Sequence, residues 1–464
     1  MTNYTVVDPA TGKSIRDYPT MTAQELEEAV GAAASASEAW RITTISDRVA
    51  LLRRVAQLYS ERRDALAAII TREMGKPITQ AGLEVDLVVS IYNYYAENGP
   101  GYLQDEALAV VGGGTAVVRK EGLGPIFGIM PWNYPYYQVA RFAAPNLMNG
   151  NTILLKHAPQ CPESALAIEQ IFHDAGAPLG AYVNVFASND QAGQIIADRR
   201  VHGVSLTGSE RAGAIVAEIA GRNLKKVVLE LGGSDAFLVL DSADVAHAAT
   251  QAVLGRFSNA GQACNAAKRF IVTDAVYENF LEQFTQAVAA ICLGDPSDPQ
   301  TFMGPMSSAS ALAGLAEQVD DAIGKGATVV LGGGQIDRPG AWYQPTILCD
   351  VTPTMRAYTE ELFGPVAVIY RVRSEDDAVE LANATTYGLG AAVLGTDLVA
   401  AERIANRLHV GMVTVNAASG TSAELPFGGV KRSGIGRELG KFGMEEFVNT
   451  KLIRIIDASV ETGR

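Results

Sequence analysis

The sequence predicts an α/β protein with parallel β-sheets that carry helices on both faces. From Val117 onward, short apolar runs typical of buried strands alternate with helical segments, as they do in parallel sheets. A second series of the same kind runs from about Ser242 to Ser433, so a second α/β domain is expected. The length of 464 residues suits two or three domains. Strands are predicted in the first series at GPIFGIM, NTILLK, YVNVFA, GVSLT, KVVLEL and AFLVL, and in the second at RFIVTD, ATVVLGGG, VAVIYRV and GMVTVN.

The N-terminal part is predicted to be a β-hairpin followed by helices. The segment Thr5–Tyr18 contains the turn residues DPATGK between two extended runs. Thr22 and Glu25 have the spacing of a capping box, which predicts the start of a helix. A single long amphipathic helix is expected over about 46–75, and another helix is expected to end near Asn98.

Composition and charge exclude several classes of function. With 51 acidic and 37 basic residues the formal charge is −14, which argues against a general nucleic-acid-binding surface. No apolar stretch has the length of a membrane span, and no secretion signal is visible. The four cysteines are far apart and the five histidines form no HExxH pattern, so neither a disulfide framework nor a metal site is expected. A soluble protein of the reducing cytoplasm is the expectation.

The segment FSNAGQACNAAKRF places Cys264 among small and polar residues. Taken alone, such a cysteine is usually inert core packing. Three other segments place polar side chains beside predicted strands: Glu230 at a strand end, Asn133 between a strand and a helix, and Glu361 with Phe363 before a strand. Strand ends border the ligand cleft of a doubly wound sheet. The alternatives are a surface glutamate, a helix N-cap and a turn, respectively.

Two further strand ends are candidates for binding a phosphate or a ribose. Gly208 and Ser209 join a strand to a helix whose first N–H groups can bind an anion, although a structural junction is the more common explanation for such a motif. Lys156 ends another strand, where its ammonium can meet a ribose or phosphate, and a solvated lysine is the alternative.

Seven segments together resemble motifs of the aldehyde dehydrogenase family, in the same order along the chain. They are PWNYP, LLKHAP, LTGSERAG, LELGG, GQAC, EELFGPV and PFGGVKRSGIGRE. The resemblance covers nearly the whole chain. Within the family, WNYPYYQVARFAAPNL and CNAAKRF are most similar to bacterial succinate-semialdehyde dehydrogenases, which implies oxidation of succinate semialdehyde to succinate with NAD or NADP.

The resemblance implies a catalytic role for three residues. Cys264 is expected to be the nucleophile that forms a thiohemiacetal and then a thioester, with hydride leaving to the nicotinamide. The Asn133 amide and the backbone N–H of Cys264 are expected to bind the oxyanion. Glu230 is expected to activate the water that hydrolyses the thioester.

The resemblance also implies a cofactor site. Glu361 is expected to hold the nicotinamide ribose, Phe363 to pack beside the nicotinamide, and Lys156 to contact the adenosine ribose. Gly208 and Ser209 are expected at the pyrophosphate. Trp132, Pro159 and Leu231 complete the cofactor-binding set that the motifs imply.

Two departures from the family pattern bear on cofactor choice and regulation. Many family members that prefer NAD carry a glutamate where Pro159 stands, so a 2′-phosphate meets no opposing carboxylate here and NADP is expected to be accepted. Some succinate-semialdehyde enzymes carry a second cysteine two residues after the nucleophile, where this chain has Ala266, which excludes a local disulfide switch.

The family fold implies two doubly wound domains and a small β element for oligomerisation. Residues 1–107 and 123–231 are expected to form the dinucleotide-binding domain, and 232–434 the catalytic domain. Residues 108–122 and 440–462 resemble the family's bridging hairpin and terminal strand, which pair across subunits, so a homodimer or homotetramer is expected.

The expected substrate ligand is Arg141, whose fork can bind a carboxylate with two hydrogen bonds. If Pro135 begins a helix, Arg141 lies about two turns beyond Asn133, within reach of a short dicarboxylic semialdehyde. A salt bridge without a substrate role is the alternative for Arg141. Three functions compete overall: oxidation of this or another aldehyde, a thiol esterase or acyltransferase, and a binding protein on an inactivated enzyme scaffold.

Overall fold

A computed structural model describes residues 4–111 and 113–456. Within these ranges the chain forms two large α/β units, an N-terminal hairpin and a three-stranded sheet. The helices, in chain order, are α1 (Ala23–Trp40), α2 (Ile45–Glu61), α3 (Arg63–Met74), α4 (Ile78–Tyr102), α5 (Tyr137–Asn149), α6 (Pro162–Asp174), α7 (Asn189–Ala197), α8 (Glu210–Arg222), α9 (Val245–Phe257), α10 (Tyr277–Ala289), α11 (Ala309–Gly324), α12 (Arg356–Thr359), α13 (Glu375–Asn383), α14 (Leu398–Ala405) and α15 (Gly440–Gly443).

The strands alternate with these helices along most of the chain. They are β1 (Tyr4–Val7), β2 (Ser14–Tyr18), β3 (Glu106–Leu108), β4 (Thr115–Gly122), β5 (Pro125–Met130), β6 (Thr152–His157), β7 (Tyr182–Asn184), β8 (Gly203–Thr207), β9 (Lys226–Glu230), β10 (Asp235–Val239), β11 (Ala267–Thr273), β12 (Thr328–Leu331), β13 (Thr346–Cys349), β14 (Val366–Val372), β15 (Gly390–Leu394), β16 (Met412–Val415), β17 (Gly434–Ile435) and β18 (Val448–Ile455).

The first large sheet has the strand order β17-β9-β8-β5-β6-β7. All neighbouring strands are parallel except β17, which runs antiparallel to β9. Successive side chains of β5 enter different cores: Ile126 packs with α2 to α6, whereas Phe127 packs with α1, α7 and α8. The prediction of a parallel sheet covered by helices on both faces is confirmed.

The second large sheet has the order β12-β13-β14-β11-β10-β15-β16, and only β12 is antiparallel to its neighbour. Strand β10 belongs here, between β11 and β15, so assigning AFLVL to the first series was wrong. Phe237 and Leu238 of β10 again enter separate cores on opposite faces. A strand buried on both faces carries no alternation that would assign it to one sheet or the other.

The hairpin and the capping box of the N-terminal part are confirmed. Strands β1 and β2 pair antiparallel, and the Thr22 side chain accepts a hydrogen bond from the N–H of Glu25 at the start of α1. The single long helix over about 46–75 was wrong, because the chain leaves the helical region at Arg62 (φ −107°, ψ 12°) and splits it into α2 and α3. Helix α4 continues to Tyr102, past the predicted end near Asn98.

The three-stranded sheet has the order β18-β4-β3. Strand β18 pairs along its whole length with β4, from Val448 with Gly122 to Ile455 with Thr115. Its side chains Leu452 and Ile455 are more than 60% exposed in the single chain. Strands β4 and β18 lie within the segments 108–122 and 440–462 that the sequence predicts for oligomerisation. Residues 112 and 457–462 of these segments lie outside the described residues.

Candidate active site

The site lies where the carboxyl ends of β5, β8 and β9 face the turn before β11. Two cavities meet there, and both are lined by Cys264 and Gln138. The first, called here the Trp132 cavity, has a volume of about 290 Å³. Nine of the twelve predicted site residues line it: Trp132, Asn133, Gly208, Ser209, Glu230, Leu231, Cys264, Glu361 and Phe363.

The second cavity, called here the tyrosine cavity, has a volume of about 380 Å³. Its wall includes Tyr134, Tyr137 and Phe427, together with residues of the 418–421 loop. Cys264 therefore lies on the wall of both the cleft at the strand ends and the pocket with tyrosine and phenylalanine side chains. A compound that enters from one side can meet a cofactor held on the other.

The Cys264 thiol sits on a turn that the surrounding chain holds closely. A Cβ on Gly233 would lie 2.7 Å from the carbonyl oxygen of Cys264, so only glycine permits this approach of the two backbones. Burial raises the pKa of the thiol to about 12, while the cations Arg141 and Lys268 lower it. The thiolate, which is the nucleophilic form, therefore depends on these two cations.

Asn133 follows β5, and its side-chain amide faces the cysteine turn. Its Nδ2 donates to the carbonyl of Gln262 (3.0 Å), and its backbone carbonyl accepts from Nδ2 of Asn259 (3.1 Å). The amide has a second N–H that remains for a ligand. The N-cap of α5 is Tyr136 rather than Asn133, and the helix begins at Tyr137, so the prediction that Pro135 starts it was wrong.

Glu230 ends β9 with only 2% of its surface exposed. Within the part of the chain that the structure describes, neither carboxylate oxygen has a hydrogen-bond partner. Burial raises the pKa of Glu230 well above its usual value, and the carboxylates of Glu438 and Glu446 raise it further, whereas Arg141 and Arg437 oppose the shift. A carboxylate with a raised pKa accepts a proton more readily than an ordinary one, which suits it to general-base catalysis.

The Gly-Gly turn after Glu230 holds Glu361. A Cβ on Gly232 would lie 2.3 Å from Oε2 of Glu361, and the N–H of Gly233 donates to Oε1 at 3.0 Å. The ring of Phe363 stands edge-on to Trp132, with centroids 5.7 Å apart. A carboxylate and two aromatic rings thus line one end of the Trp132 cavity.

Gly208 and Ser209 lie between β8 and α8. Ser209 is the N-cap of α8, and its hydroxyl accepts a hydrogen bond from the N–H of Ala212. A Cβ on Gly208 would have no protein atom nearer than Cδ2 of Leu206 at 3.7 Å. Packing therefore does not require glycine at this position, whereas a ligand close to the backbone would.

Lys156 lies near the end of β6 and Pro159 follows this strand, and neither residue lines the Trp132 cavity. Lys156 is 5% exposed, so the alternative of a solvated lysine was wrong. Burial alone lowers its pKa to about 8, and its ammonium lies 5.5 Å from the ring centroid of Tyr4. The carbonyl of Pro159 accepts from the N–H of Thr5 at 3.0 Å.

Arg141 lines neither cavity. Its guanidinium is fully buried, forms an ion pair with Glu438, and donates to the hydroxyls of Tyr137 (3.2 Å) and Thr207 (3.1 Å). Tyr137 lines the tyrosine cavity and Thr207 lines the Trp132 cavity, so the charge of Arg141 lies behind the walls of both.

Sequence reasoning missed several residues of the site. Gln138 lines both cavities, and its place in the first turn of the helix that follows Asn133 is the signal that could have identified it. Glu438, which faces Glu230, lies in the motif RSGIGRE without any local mark of its role. Lys268 lies four residues after Cys264 in the segment CNAAKRF, and a lysine at that position has no local mark of a role. Among the described residues, no three His, Cys, Asp or Glu side chains are grouped as metal ligands.

Comparison with known proteins supports one family. The aldehyde dehydrogenase family model matches residues 1–453. The chain is 55% identical to the succinate-semialdehyde dehydrogenase (NADP(+)) of Deinococcus radiodurans, over 97% of this chain and 94% of that protein. It is 44% identical to the succinate semialdehyde dehydrogenase (NAD(P)+) Sad of Escherichia coli K12, over 96% of each chain.

A solved structure also supports membership of the aldehyde dehydrogenase family. The crystal structure of succinic semialdehyde dehydrogenase from Streptococcus pyogenes, in complex with NADP+, superposes with a TM-score of 0.96 at 43% identity, and the match covers 98% of this chain and all of that one. This chain belongs to the aldehyde dehydrogenase family.

Proposed function

We propose that this protein oxidises succinate semialdehyde to succinate with NADP+ or NAD+. The position of Cys264 between the two cavities carries the proposal, because an aldehyde in the tyrosine cavity can meet a coenzyme in the Trp132 cavity at one sulfur atom. The names of the similar proteins from Deinococcus radiodurans, Escherichia coli and Streptococcus pyogenes support the choice of aldehyde and of coenzyme.

The residues around the Trp132 cavity fit a nicotinamide dinucleotide. Glu361 has its Oε1 bound by the N–H of Gly233, which leaves Oε2 for a ribose hydroxyl. Gly208 leaves space beside the backbone for a pyrophosphate. Lys156 is buried, and burial, not a neighbouring carboxylate among the described residues, shifts its pKa. When bound, the coenzyme supplies the hydride acceptor.

The chain's own groups divide the remaining chemistry. The Cys264 thiolate adds to the aldehyde carbon, and the oxyanion so formed accepts hydrogen bonds from the Asn133 amide and from the N–H of Cys264. Loss of hydride from that carbon leaves a thioester on Cys264. Glu230 then takes a proton from water as the water attacks the thioester carbon, and the adduct collapses to the carboxylic acid and the free cysteine.

The substrate carboxylate is expected in the tyrosine cavity, where the positive charge of Arg141 attracts it. The guanidinium contacts Glu438, Tyr137 and Thr207, so it attracts the substrate carboxylate from behind the cavity wall. Two N–H groups of the guanidinium are not used by these three contacts. We expect wild-type enzyme to prefer succinate semialdehyde over butanal, by kcat/KM, by about tenfold or more.

Substitution of Arg141 is the sharper test of this preference. Arg141→Lys keeps a positive charge facing Glu438, whereas Arg141→Met leaves that buried carboxylate unpaired, at a cost of about 3–5 kcal/mol in unfolding free energy. Lysine has only three N–H donors, which Glu438, Tyr137 and Thr207 would occupy, so no donor remains for the substrate carboxylate. The KM for succinate semialdehyde should therefore rise in Arg141→Lys by more than the KM for butanal, while melting temperature checks folding. Equal changes for both aldehydes would remove Arg141 from substrate recognition, and a wild type that prefers butanal would refute the substrate.

NADP+ binding should depend on the protonation of Lys156. Its pKa of about 8 rises when a 2′-phosphate binds, because the phosphate stabilises the ammonium form. Affinity for NADP+ is therefore full below pH 8 and declines as the pH rises above it, while affinity for NAD+ changes less. Titration calorimetry between pH 7 and pH 10 measures both. In Lys156→Met the pH dependence should disappear, with NADP+ affinity lowered about tenfold relative to NAD+. Persistence of that pH dependence in the variant would contradict the assignment.

We also propose a cytoplasmic homodimer or dimer of dimers. All four cysteines are unpaired, which suits a reducing compartment. No helix in the described ranges is long and apolar enough to cross a bilayer. Strand β18 exposes Leu452 and Ile455, as an edge that pairs with another subunit does. Light scattering should report a multiple of 49.0 kDa, and a species of 49.0 kDa alone would refute assembly.

A further inference from the structure

Two buried cations bind the carbonyl groups of the turn that carries Cys264. Arg256 donates to the carbonyls of Gly261 (2.5 Å), Gly364 (2.7 Å) and Ala267 (3.1 Å). Lys268 donates to three further carbonyls of the turn: those of Cys264 (2.8 Å), Ala266 (3.2 Å) and Ala263 (3.3 Å). Most carbonyls between Gly261 and Ala267 thus point toward a positive charge.

Lys268 also reaches the carboxylate on the cofactor side. Its Nζ lies 3.4 Å from Oε1 of Glu361, the same oxygen that accepts from the N–H of Gly233. Only 1% of Lys268 is exposed. A buried ammonium is costly unless its donors are satisfied, and here four oxygens surround three donors. The side chain is therefore held in one position by contacts to both the cysteine turn and Glu361.

We propose that Lys268 is a positioning residue that couples the nucleophile to the coenzyme anchor, by binding the carbonyl of Cys264 and the carboxylate of Glu361 with one buried charge. The inference rests on the proposed function, since it gives the Cys264 turn and Glu361 the roles described above. It assigns two effects to the ammonium: it orients Glu361 toward the ribose, and it stabilises the thiolate of Cys264.

The charges around Cys264 allow the effect of Lys268 on the thiolate to be distinguished from an effect of side-chain packing alone. Arg141 and Lys268 lower the pKa of the thiol, whereas Glu361 and Glu230 raise it. The phenols of Tyr134 and Tyr137 also face it and carry no charge at neutral pH. Lys268 itself faces Glu361, Asp235, Arg256 and Cys264. Removal of Lys268 must therefore raise the pKa of the Cys264 thiol, and removal of Glu361 must lower it.

The pKa of Cys264 can be measured without turnover, from the rate at which iodoacetamide alkylates the thiolate between pH 6 and pH 10. Mass spectrometry of the Cys264 peptide follows this alkylation. At pH 8, Lys268→Met should be alkylated about tenfold more slowly than wild type, because the pKa of Cys264 is then higher by about one and less thiolate is present. Glu361→Gln should be alkylated faster than wild type, and the double variant should return to within about threefold of it. Lys325→Met, which removes an exposed lysine paired with Asp321, is the control and should match wild type.

A second readout tests the coupling to the coenzyme. Lys268→Met should raise the KM for NADP+ about tenfold while changing the KM for the aldehyde less than threefold, because Glu361 loses its fixed position.

Two results of the alkylation experiment would overturn the proposal. The first is an alkylation rate that falls equally in Lys268→Met and Glu361→Gln, and the second is an unchanged alkylation profile in folded Lys268→Met. If Lys268→Met does not fold, Lys268→Gln, which keeps N–H donors but removes the charge, replaces it: slower alkylation supports the proposal and an unchanged rate overturns it. Because alkylation needs no aldehyde, a protein inactive on succinate semialdehyde refutes the proposed function alone.

Discussion

Cys264→Ala is expected to lose aldehyde oxidation by at least about 10⁴-fold in kcat, because Cys264 is the only thiol among the described residues that line the two cavities. Coenzyme binding should survive, since the groups that fit the dinucleotide lie elsewhere on the wall of the Trp132 cavity. Stopped-flow absorbance of the reduced coenzyme measures the loss, and fluorescence titration with NADP+ checks that the site is intact.

The matched control for Cys264→Ala is Cys292→Ala. Cys292 is exposed and lines neither cavity, so its removal should leave kcat unchanged. Residual turnover in Cys264→Ala within about tenfold of wild type would show that the oxidation does not pass through a thiohemiacetal, and a mechanism of direct hydride loss from the hydrated aldehyde would replace it.

Glu230→Gln is expected to release one equivalent of reduced coenzyme per subunit in a rapid burst and then to slow by about 10²–10⁴-fold in steady state. The first half-reaction needs only the cysteine and the oxyanion donors, whereas hydrolysis needs a base. Glutamine keeps the size of the side chain in this buried position. Rapid-mixing absorbance resolves the two phases.

The pH dependence gives Glu230 a second signature. Its pKa is raised by burial, and only the deprotonated carboxylate can accept a proton, so wild-type deacylation should be slow at low pH and rise as the pH passes through that raised value. Glu230→Gln should lose this rise. Glu218→Gln, which changes an exposed carboxylate paired with Arg222, is the control. Normal steady-state turnover in Glu230→Gln would assign the base to another group.

Residues at strand ends could be predicted from the sequence because the chain marks them locally. Glu230 follows an apolar run and precedes two glycines, and Asn133 follows another apolar run, so the rule that clefts lie at the carboxyl ends of parallel strands makes both of them candidates. Their grouping with Cys264 came from the resemblance to the aldehyde dehydrogenase family. The structure places all three on the wall of one cavity.

Other features depend on contacts between distant parts of the chain, which no local pattern encodes. Arg141 was expected to face the substrate, but its nearest charge is Glu438, supplied by the C-terminal part of the chain, and this ion pair turns the guanidinium behind the cavity walls. The proposed role of Lys268 depends likewise on Glu361, a residue distant in the chain whose Oε1 also accepts a hydrogen bond from the N–H of Gly233. The break between α2 and α3 at Arg62 has no Gly or Pro to mark it.

The most direct test of the central claim is the mass of the Cys264 peptide after Glu230→Gln reacts with succinate semialdehyde and NADP+. Acid quenching within the burst, followed by proteolysis at low pH, preserves a thioester for mass spectrometry. We expect the Cys264 peptide to gain the mass of one succinyl group in proportion to the reduced coenzyme formed, and the same peptide from wild type to carry much less. Reduced coenzyme formed without any acyl group on Cys264 would contradict the claim that this cysteine carries the reaction.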